Sequence, residues 1–528
     1  MVNGHLSLRK DYWETLEITP KDIVFLNNHL FELETPLTTQ ELTSALVSER
    51  IRLEKKALQN QQTELGKIYY PKDQYKVGDM LLFPAVDWQS GKVISVRAGK
   101  NPEIISFEVI EVEMARGNHR QFAASLADHR LNQPIEVKID DELLDLDYVL
   151  QSNGNLIAAQ VEEALVADPE LVCVARRWFP RALLVDVNIG HLNLAEAVLD
   201  MANGGPLPTQ SLIEQIDLPT DVNAELREFS LNYALQADSR FDEVGPTGAV
   251  LWFLHRLEPE AVQHSPLYLR CPEMNYDRST LSTAMQTLER QLDDELSNIN
   301  DEASMRNEAV VILTYPHWRS GTLPLTPRVG KYFPTAFEAP RIQFSFVDAE
   351  SDAKFPGWVV RPDRYVYGLH DWYISQGLIP GSLLHIKPGK NPGEVQIFAQ
   401  KRRAGREWIR SVLVGADGGI VFAILKQMVS AVYDERMAIM IADVEALDQV
   451  WDNGSLLRIP IEQVVLKMMR ELSKLNPQGH VHAQELYAAV NVVRRCPPGP
   501  IFNALSSQPS ITLVGDLYFR LETAAEEM

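Results

Sequence analysis

The sequence predicts a multidomain α+β protein in which one helical unit with a terminal hairpin is repeated and interleaved with small β-barrel-like domains. Three observations carry that expectation. A seven-residue phrase occurs three times, as PLTTQEL (Pro36 to Leu42), PLPTQSL (Pro206 to Leu212) and HVHAQEL (His480 to Leu486). A spacing of ten positions from Ala to Val follows two of the copies, Ala234 to Val244 and Ala504 to Val514. Two stretches between the copies carry short apolar alternations punctuated by Gly and Pro, the pattern of strands and turns.

A length of 528 residues accommodates roughly three to five domains. Hydrophobic residues make up 45% and charged residues 23%, enough core material for folded domains throughout. A formal net charge of −22 excludes a uniformly basic nucleic-acid binder, because phosphate contact needs positive charge. It leaves room for a local basic patch, or for a partner with a basic surface. Cys173, Cys271 and Cys496 are far apart and form no disulfide framework or CxxC pair, which fits a reducing compartment. The N-terminus lacks an apolar signal core and no run of about 18 apolar residues occurs. The expectation is a cytoplasmic protein with no membrane contact.

Each phrase follows an amphipathic helix. Ile23, Val24, Leu26, Leu30 and Leu33 recur at helical spacing ahead of the first, with Thr19 placed to cap and Pro20 at the first helical position. Leu194, Ala195, Val198, Leu199 and Ala202 precede the second, and Val464, Val465, Met468, Met469 and Leu472 the third. Thr38 or Thr39, and Pro208-Thr209, read as the start of a second helix. A third helical stretch ends at Ala57-Leu58, Ala234-Leu235 and Ala504-Leu505, followed by a strand, a turn glycine and another strand. Helix, turn, helix, helix, hairpin is the winged-helix plan. Phe241, Val244, Leu251 and Trp252 would hold the hairpin in the second copy, and Ile511, Leu513, Leu517 and Phe519 in the third. Ala164 to Leu184 keeps the Ala-to-Val spacing without an upstream phrase and reads as a degenerate copy.

These units resemble HARE-HTH-type winged helices, found in the delta subunit of bacterial RNA polymerase and in DNA-modification and chromatin proteins. The match is helix, PLTTQEL, helix and F-x-x-V-G…W/Y-x-L, over about two-fifths of the chain. The resemblance implies a role with DNA or the transcription machinery, RNA polymerase included, and brings no catalytic residue; winged helices also serve as protein-binding modules.

The resulting boundaries are 15–72 for winged unit one, 73–135 for an SH3- or KOW-like small barrel, and 136–187 for the degenerate segment. Winged unit two takes 188–262, a helical connector 263–305, a β-rich pseudobarrel-like domain 306–450, and winged unit three 455–524. GKVISVRAG (Gly91 to Gly99) resembles a KOW core, and the strands around GLIPGSLLHI (Gly377 to Ile386) resemble B3-type DNA-binding pseudobarrels. RAGKNPE (Arg97 to Glu103) is echoed by KPGKNPGE (Lys387 to Glu394), as if at two related loop tips. Leu281, Met285, Leu288, Leu292 and Leu296 form the stripe of a connector helix over Thr280 to Asp301.

Two basic clusters stand out in an acidic chain. Lys387, Lys390, Lys401, Arg402, Arg403, Arg406 and Arg410 surround Trp408, a set suited to phosphate contact and base stacking in DNA or RNA. The alternative is a solvated hairpin paired with acidic neighbours. SERIRLEKK (Ser48 to Lys56) places Arg50, Arg52, Lys55 and Lys56 in the expected third helix of unit one, where they would face a major groove. Glu49 and Glu54 oppose that, and Arg50 would pair with Glu54 at i,i+4. The corresponding helix of unit two, with two acids and one Arg, reads as a protein contact, and CPPGP breaks that of unit three.

Catalytic patterns are weak. His317, His370 and Asp371, with Trp318 and Trp372, fall in one domain, but adjacent His and Asp rarely face each other. DDELLDLD (Asp140 to Asp147) lacks EF-hand spacing, and no nucleotide loop or hydrolase motif occurs. The expectation is a non-enzymatic DNA- or transcription-machinery-associated accessory protein, with no metal or cofactor. The alternative is an acidic protein–protein interaction scaffold that does not contact nucleic acid.

Overall fold

The three phrases occupy one structural position. In the computed structural model, which describes residues 8–9, 11–64, 67–86, 89–101, 106–114, 117–132, 142–297, 307–336, 339–416 and 418–522, each phrase forms a short strand and the start of a helix. The strands are Leu37–Thr38, Leu207–Pro208 and His480–His482. The helices are Thr39–Glu64, Thr209–Ile213 and Ala483–Val493. Each strand pairs with the second strand of a hairpin, setting Leu37 opposite Trp178, Leu207 opposite Trp252 and Val481 opposite Phe519. The shared leucines, Leu42, Leu212 and Leu486, are buried. Two copies carry a capping box that satisfies orphan N–H groups of the helix. The Thr38 N–H and hydroxyl donate to Glu41 at 2.7 and 2.8 Å. His482 replaces the threonine in the third copy: its Nδ1 accepts from the Gln484 N–H at 3.1 Å and its own N–H donates to Glu485 at 3.2 Å.

The same phrase position also carries an internal latch. The Trp178 indole N–H donates to the Thr39 hydroxyl at 3.0 Å. The Trp252 indole N–H donates to the Thr209 hydroxyl at 3.2 Å and to the Asn232 side-chain Oδ1 at 2.9 Å. The third copy has Ala483 and Phe519 at these places, so acceptor and donor are lost together.

The chain is a multidomain α+β protein that divides into two compact units. One comprises residues 1–186 and 219–230, the other 187–218 and 231–528. Among the described residues no helix is long and apolar enough to cross a membrane.

In the first unit, helix Pro20–Leu33 opens with a capping box in which the Thr19 N–H donates to Asp22 at 2.8 Å. Helix Thr39–Glu64 then runs for 26 residues. It contains neither Gly nor Pro, so nothing stops it, and SERIRLEKK is its middle rather than a separate third helix. The expected wing within 59–70 is corrected accordingly. A five-stranded sheet follows instead, in the order Lys67–Ile68, Met80–Phe83, Gln89–Ala98, Glu108–Met114, His119–Ala124. Tyr69, Tyr75, Phe83, Val93, Ile110 and Val112 fill its core. Only then comes helix Leu146–Val166, N-capped by Asp145, and the hairpin of Leu171–Val174 and Arg177–Pro180 that pairs with Leu37–Thr38. Segments 15–72 and 136–187 are therefore halves of one helix–strand–helix–helix–hairpin unit, with the barrel-like sheet inserted between its second and third helices. Asp140 and Asp141 of the acidic run lie outside the described residues.

The second unit holds the third copy and most of the second. Helix Ile189–Met201, the second phrase, helix Ala224–Ala237 (which crosses the division at Ser230) and strands Phe241–Glu243 and Leu251–Leu254 make up one. Helix Ile461–Ser473, the third phrase, helix Pro498–Ser507 and strands Ile511–Gly515 and Tyr518–Leu521 make up the other. The expected connector is a shorter helix, Thr283–Leu292, closed by Asp293 at φ 49°. Leu281 just ahead of it and its own Met285 and Leu288 join the core of the third copy, and residues 298–306 lie outside the described ones. The 306–450 segment divides. Seven strands between Ala309 and Ala399 form one sheet, antiparallel except for Arg341–Asp348 against Glu394–Ala399. The KPGKNPGE loop joins two of these strands, whereas Pro102 and Glu103 of its echo lie outside the described residues. Lys401–Val414 and Ile420–Ala431 leave this sheet as a long ribbon, with the short strand Met440–Ile441 paired parallel to Lys401–Val414.

Candidate nucleic-acid interface

The ribbon collects most of the Lys387–Arg410 cluster. Its two strands alternate polar and apolar residues, which commits opposite faces to different surroundings. Residues directly opposite share a face: Arg406 with Met428, Trp408 with Lys426, Arg410 with Ile424, Val412 with Phe422. Near the turn this face is buried, because Val412, Ile420 and Phe422 pack into the core of the third copy. Farther from the turn it is open. Trp408 is 67% exposed, Met428 61% and Ile424 46%. Lys426 lies over the Trp408 ring at 6.0 Å, within cation–π range. The other face reverses the pattern, with Ile409 and Val429 buried against Ile379 and Ala438, and Leu413 and Val421 partly exposed.

The predicted cations separate into anchored and free ones. Arg410 donates to Glu485 at 2.8 Å and to the Arg436 carbonyl at 3.0 Å. Burial pushes its guanidinium down from the ordinary value against the pull of Glu485. Arg402 stacks over Tyr433 at 4.7 Å and lies 3.5 Å from Glu407. Lys401 pairs with Glu350, and Lys387 with Glu308 at 2.9 Å. Lys390, Arg403 and Arg406 are exposed, and among the described residues Arg403 and Arg406 have no acidic partner within ion-pair distance. Lys426, Met428 and Ile424 on the second strand complete the patch and were missed in the sequence. The glycines around 415–419, set between two alternating runs, were the signal for a hairpin that would have found them.

The SERIRLEKK cluster is placed differently. Arg50 is not free to reach a groove, nor does it pair with Glu54. Its guanidinium grips Asp22 at 2.6 and 2.8 Å, with 21% of its side chain exposed. Burial pushes the Asp22 carboxyl up, but Arg50 and Thr19 outweigh it and hold the carboxyl below its ordinary value. Glu54 instead accepts from the Tyr12 hydroxyl at 3.0 Å. Arg52 pairs with Glu49 at 2.7 Å, while Lys55 and Lys56 are exposed. The third helices of the three copies carry almost no positive charge. Leu146–Val166 has Asp147, Glu162 and Glu163 and no Lys or Arg; Ala224–Ala237 has Glu225, Arg227 and Glu228; Pro498–Ser507 has no charged residue.

The His-Asp constellation does not assemble. Asp371 is exposed at the start of helix His370–Ser375, and Trp372 is buried. His317 is buried elsewhere, with Nδ1 at 2.8 Å from the Thr322 hydroxyl and Nε2 at 3.2 Å from Glu295. Glu295 and Asp294 both bind the buried Arg495, at 2.6 and 2.7 Å, and Tyr487 donates to Asp294 at 2.6 Å. Burial pushes Glu295 up, but Arg495 and His317 hold it well below the carboxylate range. A cavity of about 190 Å³ touches this network, but its charges are spent on one another.

No protein-family model, curated protein or solved structure matches this chain.

Proposed function

We propose that this chain is a non-enzymatic accessory protein built from winged-helix modules, of the DNA- and transcription-associated kind, that contacts nucleic acid through the ribbon rather than through its helices. The observation that carries this reading is Trp408, 67% exposed on one ribbon face between Arg406 and Lys426. A flat aromatic surface flanked by cations offers a base a stacking platform and its phosphates neutralisation. Bases are open to stacking only where unpaired, so the reading favours single strands. The cation-poor third helices support a scaffolding role for the winged units, since groove insertion needs positive charge.

The test is fluorescence anisotropy with labelled single-stranded DNA, single-stranded RNA and duplex DNA across a salt series. Affinity for single strands falls with salt, and replacing Arg403, Arg406 and Lys426 by Ala lowers the log–log slope by about 2, at ~0.7 per phosphate contact. Trp408→Ala weakens binding by ~1–3 kcal/mol with the slope unchanged. Unmeasurable binding at low salt overturns the reading. The second reading, a protein-interaction scaffold, draws on Met428 and Ile424 beside Trp408, since exposed Trp and Met with Arg are typical of protein hot spots. In that reading a partner with a basic surface, RNA polymerase among the candidates, meets the acidic remainder of the chain, whose net charge is −22.

A further inference from the structure

The hairpin of the second copy holds an arrangement that neither the ribbon nor the winged-helix reading uses. Asp242 lies on strand Phe241–Glu243, and His255 and Glu258 bracket the turn after strand Leu251–Leu254. Their donor atoms all lie within 4.8 Å of one another. Glu258 has 0% of its side chain exposed, yet neither carboxylate oxygen has a hydrogen-bond partner. A buried carboxylate left unbonded is costly and calls for a compensating ligand. Burial, then Asp242 beside it, pushes that carboxyl up to about 8, and no guanidinium or imidazole bonds it. Arg341 spends its bonds on Asp242 at 2.7 Å and the Val262 carbonyl at 3.1 Å, and stands 3.6 Å from Glu258. His255 Nδ1 is 3.3 Å from Glu258 Oε2, close enough to bond but not aligned as a donor.

We propose that Asp242, His255 and Glu258 form a site for a divalent transition-metal ion, zinc being the ion that the donor set fits. Two ligands about 2.0–2.2 Å from a tetrahedral ion stand ~3.4 Å apart, close to the His255–Glu258 separation. One imidazole with two carboxylates is a donor set zinc accepts, whereas calcium and magnesium take oxygen alone. His255, 40% exposed, gives the ion a path from solvent and leaves the fourth position to water. Bound there, the ion ties the turn after Leu254 to the first strand of its own hairpin.

The experiment is calorimetric titration of the full chain, freed of metal by chelation, with zinc chloride. The expected result is saturable binding of one equivalent, weakened at least tenfold by Glu258→Gln and by His255→Gln, with circular dichroism of the metal-free variants unchanged. Should Glu258→Gln fail to fold, His255→Gln decides alone, because that side chain, 40% exposed, is outside the core. Absence of saturable binding to the unaltered chain overturns the proposal, as does unchanged affinity in His255→Gln.

Discussion

The Thr–Trp latch yields a prediction that the repeat itself calibrates. Thr39→Ala removes the hydroxyl that accepts the Trp178 indole N–H at 3.0 Å. Trp178 is 4% exposed, so the N–H cannot turn to water. Leaving such a donor unpaired costs ~1–3 kcal/mol. Trp178→Phe also destabilises, by lost packing, at a cost of about 1–3 kcal/mol that depends on how far the site collapses. The double variant reproduces the Ala–Phe pair that the third copy carries at Ala483 and Phe519. With donor and acceptor removed together, no group is left unsatisfied, so the double variant is less destabilised than the sum of the singles by ~1 kcal/mol. Native-state hydrogen exchange of the full chain reads this locally, in peptides covering 171–180, where ~1.4 kcal/mol is tenfold in exchange rate. Additive effects would refute the latch and reduce the matched Ala–Phe pair to coincidence.

Three further outcomes are expected. Burial, then Arg436, pushes the His482 imidazole below its usual 6.5, so the unfolded chain binds the proton more readily and the stability of helix Ala483–Val493 is lost as pH falls below 6.5. Exchange protection of that helix, corrected for intrinsic rates, shows the acid loss, and His482→Thr, the residue of the first copy, flattens it. Arg495→Met leaves Asp294 and Glu295 buried without their cation and costs ~3–5 kcal/mol in urea unfolding. Lys401→Ala, by contrast, removes a pair whose members are 45% and 47% exposed and shifts the same curve by less than ~1 kcal/mol.

The sequence carried the local rules of the repeat and little of its long-range pairing. Helix starts were legible because caps act over three residues: Thr19 with Asp22, Thr38 with Glu41. The hairpin of the first copy was not, because its partner strand lies about 140 residues on and strand pairing leaves no mark at such distance. The cost of closing that loop grows only with the logarithm of its length, so a whole barrel-like sheet fits inside the unit. The Ala164 to Leu184 fragment showed the right spacing but had lost its context, and so read as a separate copy. At the candidate interface the run of cations was legible on one strand. Which of them remain free was not, since Glu350, Glu308 and Glu485 reach Lys401, Lys387 and Arg410 only through the fold.

One side chain joins the cap of the third phrase to the ribbon. Glu485 is the capping-box acid of the third phrase, and one of its oxygens accepts the His482 N–H at 3.2 Å. Its other oxygen accepts Arg410 of the ribbon at 2.8 Å. Arg410 is 13% exposed and sits two residues along the strand from Trp408. The residue type that opens a helix in the first copy thus also holds a ribbon in the third. Glu41 in the first copy binds only its own cap, Thr38, and the second copy has Ser211 there instead. Glu485→Gln therefore separates the two roles. A neutral amide still reaches the cap N–H, but it removes the charge that offsets buried Arg410, so it loosens the ribbon more than the helix. Hydrogen exchange faster in 405–414 than in 483–493 is the expected pattern. Loss confined to 483–493, with 405–414 unchanged, would mean that Glu485 serves the cap alone and that the ribbon keeps its geometry without it.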